Sequence, residues 1–171
     1  MSTAVPAVST PRRMAGRALH LIDLENLLAD PDADCAAVDA ALDAYVTAAA
    51  LGDDDLVALA VNHRIYRRSC FSLDRGWEVK LASGPDACDH VLLAEAPIDW
   101  VADRFDRLVV GSGDGIFVDL VHGVRRRATP VWVVAQDRCL SRRLASAASR
   151  VVRIDLTDPD GSGGPELALA A

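Results

Sequence analysis

Six short runs of mostly apolar residues, separated by stretches with helical spacing, constrain the fold of this chain most strongly. The runs predict β-strands at Leu19–Ile22, Leu56–Val61, Trp77–Leu81, Arg107–Gly111, Val131–Ala135 and Val151–Ile154. The stretches between them predict helices over Cys35–Leu51, His90–Val101, Ile116–Arg127 and Leu140–Ala148, with the second interrupted at Pro97. Because strands that are apolar throughout need cover on both faces, this alternation predicts an α/β fold around a parallel sheet.

The length and composition of the chain favour one folded domain. Its 171 residues are 51% hydrophobic, which supplies enough apolar side chains for a sizeable core. Residues 1–17 are rich in Ser, Thr, Pro, Ala and Arg, and residues 157–171 include the segment Gly161-Ser-Gly-Gly-Pro165. We therefore expect a disordered arm at 1–17, a domain at 18–156 and a disordered tail at 157–171.

The charge and the cysteines exclude several classes of protein. A net charge of −7 argues against a protein that coats nucleic acid through a broad basic surface, although it is compatible with an acidic metal site. The four cysteines lie far apart and form no CxxC pair, so a zinc site is not expected. No apolar stretch reaches the length of a membrane span, and residues 1–18 lack the apolar centre of a signal peptide. We therefore expect a cytoplasmic protein without membrane attachment.

Acidic residues stand near the ends of predicted strands. Asp23 directly follows the first strand, Asp114 follows the fourth strand between two glycines, and Asp89 stands near the start of a predicted helix. Open α/β folds place their sites at the carboxyl ends of such strands, and carboxylates grouped there repel one another unless a hard cation binds them. For Asp23 taken alone, a helix N-cap is the slightly more ordinary role.

Two further acids lie near Asp89. Glu95 is six residues away, so on a continuous helix the two side chains would point about 120° apart and are not expected to share one ion. Glu95 is left open as an auxiliary acid or a surface residue, and Asp86 is a nearby competitor of Asp89 as a ligand. The glycines around Asp114 also suggest a dinucleotide-binding loop, but Ile116 stands where its last glycine should be.

Three motifs in order give this chain a family resemblance. They are Ile22-Asp23-x-x-Asn26, then Asp89-x-x-Leu92-x-x-Glu95, then Ser112-Gly-Asp114-x-x-Phe117. Together, over about residues 18–155, they resemble the NYN-domain proteins of the PIN-like nuclease superfamily. The resemblance implies a three-layer α/β/α sandwich with a central, mainly parallel sheet of about five or six strands. It also implies a metal-dependent ribonuclease.

The resemblance also assigns roles to particular positions. Asp23, Asp89 and Asp114 match the metal-binding acids, which would hold Mg²⁺ or Mn²⁺, and Asn26 matches an early polar residue of the catalytic group. Many family members carry a second acid where this chain has Ile116, and Asp119, one helical turn further on, is the candidate replacement. Apart from the resemblance, Arg64 and Arg67 stand just past the second predicted strand, where they could reach the phosphates of RNA. Ser112 is also expected to contact the substrate.

The sequence therefore predicts an endoribonuclease that hydrolyses phosphodiester bonds of single-stranded RNA; a homodimer is left open. A catalytically decayed module that binds RNA or a protein is the first alternative, because Ile116 replaces an acid. A haloacid-dehalogenase-like phosphatase is the second, with Asp23 as nucleophile and Lys80 as its lysine. Against it, Glu25 stands where that family favours an Asp, and a Ser or Thr at the end of the second strand is missing.

Overall fold

A computed structural model of the protein describes residues 16–156 and the backbone of 167–168, and all its strands join one sheet. The strands are β1 Ala18–Asp23, β2 Leu56–Val61, β3 Glu78–Leu81, β4 Arg107–Gly111, β5 Val131–Gln136, β6 Arg150–Ile154 and β7 Leu167–Ala168. The helices are α1 Leu24–Leu28, α2 Cys35–Ala49, α3 His63–Ser69, α4 Ala87–Glu95, α5 Ile98–Arg104, α6 Val118–Arg126 and α7 Arg142–Ala147. Short 3₁₀ turns at Gly115–Phe117 and Asp137–Cys139 precede α6 and α7.

The order of the strands creates a switch point beside β1. The sheet runs β3-β2-β1-β4-β5-β6-β7; β1 to β6 are parallel and β7 is antiparallel to β6. The chain therefore builds the sheet in one direction from β1 to β3 and in the other from β4 onward. At the boundary Ile22 of β1 pairs with Gly111 of β4. The carboxyl ends of β1 and β4 frame the crevice in which such sheets bind their ligands.

Successive side chains on each strand point to opposite faces of the sheet and pack into two separate hydrophobic cores. Leu19 and Leu21 of β1 pack with apolar residues of α4 to α7 on one face. Ile22 packs on the opposite face with residues of α1, α2 and α3, among them the fully buried Leu42. Burying a leucine or isoleucine side chain completely contributes about 1.5–3 kcal/mol, so both helical layers are held by the sheet. The predicted α/β/α sandwich is confirmed.

Most differences between the predicted and the observed elements occur at helix N-caps or at a proline. The predicted helix around Pro97 is two helices, α4 and α5, because proline cannot continue the first one. Helices α1 and α3 were not predicted; Asp23 and Asn62 cap them by accepting the amides of Asn26 and Ile65. Of the predicted arm and tail, 1–15, 157–166 and 169–171 lie outside the described residues, and 167–168 form β7.

A polar network lies buried beneath the amino-terminal edge of the sheet. His20 Nε2 is 3.1 Å from Asp55 Oδ2, and His20 Nδ1 is 2.9 Å from the hydroxyl of Tyr45. Because a carboxylate accepts, Nε2 carries the proton, and Nδ1 accepts from Tyr45. Asp55 also accepts the amides of Ala18 at 2.6 Å and Gly52 at 2.9 Å. This network ties β1 and α2 to the loop before β2.

Burial decides the protonation of this histidine. Although Asp55 favours the charged form, loss of solvent is the larger effect and lowers the pKa of His20 to about 4. Hydrogen bonds from Gly52, Ala18 and His20 outweigh burial at Asp55 and lower the pKa of its carboxyl. The folded protein therefore holds a neutral histidine against an ionised aspartate.

None of the helices in the described ranges has the length and apolar character that a membrane crossing requires.

Candidate functional site

The end of β1 places a buried carboxylate in the crevice at the switch point. Asp23 is only 5% exposed. Its Oδ1 accepts the amide of Asn26 at 3.3 Å, and its Oδ2 accepts the hydroxyl of Ser112 at 3.3 Å. Asp23 is thus a helix cap, as its position alone suggested, and it also faces the end of the neighbouring strand β4.

Hydrogen bonds join the motif after β1 to the motif after β4. Asn26 Oδ1 accepts the amide of Gly113 at 2.7 Å, and Ser112 Oγ accepts the amide of Asp114 at 3.2 Å. A Cβ on Gly113 would lie 2.3 Å from the carbonyl oxygen of Cys139, so this close approach of two backbones requires glycine. The loop that carries Asp114 is therefore fixed relative to Asp23 by side chains and by packing.

Asp114 itself begins the turn that leads into α6. Its Oδ1 accepts the amide of Ile116 at 2.9 Å, and its side chain is half-buried. The half-buried side chain of Ile116, at the position where the sequence resemblance led us to expect an acid, packs against the core beneath α4 to α7. This position therefore contributes to the core, and Asp114 is the acid that this turn presents.

Asp89 brings a third carboxylate to the crevice from the first turns of α4. The residue is 7% exposed, and its Oδ1 has no hydrogen-bond partner among the described residues. Burial raises the pKa of Asp23, and the charge of Asp89 raises it further. Burial and then the charge of Asp114 raise the pKa of Asp89. The carboxyl groups of Asp23 and Asp89 are close enough to share a hydrogen bond when one of them is protonated.

Two residues that the sequence did not single out as site residues also border this group. The charge of Glu25, in the first turn of α1, adds to the effects that raise the pKa of Asp23. Cys88 Sγ lies 3.8 Å from Glu25 Oε1. Burial and the nearby carboxylates raise the pKa of Cys88 to about 12, so its thiol stays protonated. The sequence signal for Glu25 was its position two residues after Asp23.

Other acids named from the sequence lie outside this group. Asp119 is exposed in the first turn of α6. Asp86 is exposed before α4, although its charge adds to the effects that raise the pKa of Asp89. Glu95 Oε1 forms an ion pair at 2.8 Å with Lys80, which also contacts Glu78 at 2.7 Å. Glu95 is thus part of a surface ion pair, and Lys80 is engaged by two glutamates.

The predicted substrate contacts separate into two places. Arg64 and Arg67 are exposed on α3, directly after the carboxyl end of β2, in an open groove of about 590 Å³ lined also by Arg68, His63 and Ser83. Ser112, in contrast, is fully buried and donates its hydroxyl to Asp23. Only the two arginines have side chains that a bound polymer can reach directly.

The acidic group fits a hard divalent cation. Asp23 and Asp89 provide two buried carboxylates that repel each other, and one oxygen of Asp89 lacks a partner. A cation would satisfy that oxygen and offset the repulsion. Mg²⁺ keeps several water ligands and needs only one or two carboxylates. Within residues 16–156, no three His, Cys, Asp or Glu side chains are already arranged around a common point for a metal.

Comparisons with known proteins agree with this architecture. A family model described as the NYN domain matches residues 18–155. The crystal structure of a protein of unknown function from Vibrio parahaemolyticus has the same fold, with a TM-score of 0.61 and 22% sequence identity. The match covers 82% of this chain and 93% of that protein. No curated protein matches the chain significantly.

Proposed function

Since this chain belongs to the NYN domain family, we propose that it is a metal-dependent endoribonuclease that hydrolyses phosphodiester bonds of RNA. Members of the wider PIN-like group generally use divalent metals, and NYN domains generally bind RNA. The observation that carries the proposal is the unpartnered, buried Oδ1 of Asp89 beside Asp23. Two buried carboxylates in contact destabilise a folded protein unless a proton or a cation compensates them.

The proposed roles follow from the contacts of each side chain. Asp23 and Asp89 would hold Mg²⁺ or Mn²⁺, with Asp114 as the third acid whose charge acts on Asp89. Such an ion, when bound, lowers the pKa of water and neutralises charge on a phosphate. Asn26 would act as a positioning residue, since it holds the amide of Gly113 and with it the loop of Asp114.

The remaining predicted residues have more distant roles in this proposal. Ser112 would orient Asp23 through its hydroxyl, and Arg64 and Arg67 would bind phosphates of the RNA beside the acidic group. Asp119 stays a prediction as a fourth acid, because its exposed carboxylate would have to reach the crevice from the surface of α6.

A catalytically decayed module that binds RNA or a protein is the second candidate. Ile116 favours it, because its half-buried side chain packs against the core where the family resemblance led us to expect an acid. The two candidates differ in what the carboxylates do. A nuclease loses activity when one of them is neutralised, whereas a decayed module has no metal-dependent cleavage to lose.

The test is cleavage of labelled single-stranded and structured RNA with Mn²⁺, Mg²⁺ or EDTA. The variants are Asp89→Asn and Asp114→Asn, and the control is Asp53→Asn, which removes an exposed carboxylate from the loop before β2. We expect metal-dependent cleavage by the wild type and the control, and a loss of at least about a hundredfold in the two variants. A folded, Mn²⁺-loaded wild type that cuts none of the RNAs would contradict the proposal, as would full activity of Asp89→Asn.

A further inference from the structure

One face of α3 presents a row of arginines to solvent. Arg64, Arg67 and Arg68 are exposed, while Ile65 and Ser69 turn to the buried side of the helix. Residues spaced three and four apart share a helix face, so the arginines form one stripe. The carboxylate of Asp32 accepts from Arg64, and from Arg68 at 3.0 Å. Three guanidinium groups against one carboxylate leave the stripe with a net positive charge.

Phe71 lies just beyond the carboxyl end of α3, in the turn that follows the helix. Cys70, the residue between α3 and Phe71, keeps right-handed backbone angles. Phe71 follows Arg67 by four residues and Arg68 by three. Phe71 is 92% exposed, far more than any other large apolar side chain in the described ranges. A single exposed apolar residue is ordinary on protein surfaces, but here an aromatic ring ends a row of arginines.

The backbone around Phe71 is held by its neighbours. Ser72 and Leu73 are buried directly after it, and the amide of Ser72 donates to the carbonyl of Ser69 at 3.0 Å. The carbonyl of Ser72 accepts from Arg75 Nε at 3.2 Å. The ring therefore projects into solvent from an ordered turn.

The stripe starts beside the acidic crevice. His63 follows the end of β2, and β2 pairs with β1 so that Ala60 lies opposite Asp23. Adjacent strands lie about 4.8 Å apart, and the 7 residues of α3 extend roughly 10 Å, so Phe71, just beyond α3, marks the far end of a track that leads to the crevice. His63 Nδ1 and Ser83 Oγ, hydrogen bonded at 2.8 Å, close the near end of the groove.

From this arrangement we propose that Phe71 stacks on a base of single-stranded RNA whose phosphates lie on Arg64, Arg67 and Arg68. The inference rests on the proposed function for the identity of the polymer. Guanidinium groups bind phosphates, and an exposed ring accepts any unpaired base on its face. Bases in a duplex are stacked on one another and cannot cover the ring, so the stripe selects single strands.

The test is equilibrium binding in EDTA, so that no cleavage interferes, with fluorescently labelled oligouridine, an abasic oligonucleotide of equal length and a duplex. Phe71→Ala removes the ring, Phe71→Trp preserves stacking, and Arg67→Gln removes a phosphate contact. The control is Arg126→Gln, which removes an exposed arginine at the end of α6. Stacking on an aromatic ring contributes an amount that corresponds to between about 5-fold and about 150-fold in affinity.

The expected pattern separates stacking from charge. Phe71→Ala should weaken oligouridine binding by a factor in that range and leave abasic binding unchanged, and Phe71→Trp should restore affinity. Arg67→Gln should weaken the binding of both oligouridine and the abasic oligonucleotide and should reduce the salt dependence of binding. The control, Arg126→Gln, should change neither affinity nor salt dependence. Equal effects of Phe71→Ala on both ligands, no effect on either, or wild-type preference for the duplex would overturn the inference. Selective binding without metal-dependent cleavage would uphold it and refute the proposed function instead.

Discussion

The buried pair of His20 and Asp55 predicts that the fold loses stability in mild acid. The pKa of His20 is lowered from its ordinary value of 6.5 to about 4 by burial. As the pH falls, the unfolded chain therefore takes up a proton before the folded protein does. The contribution of His20 to stability is complete above its unfolded pKa and is lost as the pH falls through its folded pKa.

The magnitude follows from the size of the shift. One pKa unit corresponds to about 1.36 kcal/mol, so a shift from 6.5 to about 4 corresponds to a total loss of about 3.4 kcal/mol. Between about pH 7.5 and about pH 4.5, linkage gives a loss of about 2.5 kcal/mol. The raised pKa values of Asp23 and Asp89 act in the opposite direction, because the folded protein binds those protons more readily.

The assay therefore compares variants rather than the wild type alone. Urea unfolding in EDTA across this pH range should show that the unfolding free energy of the wild type falls by about 2.5 kcal/mol more than that of His20→Gln. His122→Gln, which removes an exposed histidine from α6, should behave like the wild type. A difference between wild type and His20→Gln that stays constant with pH would refute the reasoning.

Two substitutions test how the loop after β4 is held. Gly113→Ala should destabilise the protein by about 1–3 kcal/mol in urea unfolding, because the new Cβ meets the backbone of Cys139. The control is Gly52→Ala, whose Cβ meets no atom closer than 3.6 Å. This substitution should lower the free energy of unfolding by less than about 0.5 kcal/mol. Equal losses would contradict the packing argument. Asn26→Ala should cost about 1–3 kcal/mol, because the buried amide of Gly113 loses its acceptor, and an unchanged unfolding midpoint would show that this bond adds nothing.

The sequence predicted the sheet well because its strands are buried on both faces. Strands such as β4 and β5 have a continuous apolar pattern that does not depend on distant residues. The short helices α1 and α3 were missed, because five and seven residues cover too few turns for a helical period to emerge. Their caps, Asp23 and Asn62, were the available signals.

For the site, the sequence identified the acidic residues but not the contacts and charge effects between their side chains. Asp23 ends β1 and Asp114 follows β4, and these strands are neighbours, so the approach of the two acids was predictable once β1 and β4 were paired. The unpartnered oxygen of Asp89 and the contact of Cys88 with Glu25 depend on side-chain directions within α4 and α1. A single sequence carries no pattern for such contacts between distant segments.

The same limit explains why the network beneath the other edge of the sheet was missed. His20 and Asp55 are 35 residues apart, and neither belongs to a recognisable motif. Phe71 was also not singled out, because an isolated aromatic residue in a sequence is more often part of a core. In the structure, however, the neighbouring Ser72 and Leu73 are buried and Phe71 is exposed.

The most direct test of the account is calorimetric titration of the metal-free protein with Mn²⁺. We expect saturable binding by the wild type, accompanied by a rise in melting temperature, because the ion satisfies the Asp23 and Asp89 pair. Asp89→Asn should abolish both effects, while Asp53→Asn, on the exposed loop before β2, should preserve them. Absence of Mn²⁺ binding by the folded wild type, or binding that survives Asp89→Asn unchanged, would contradict a metal site between these two carboxylates.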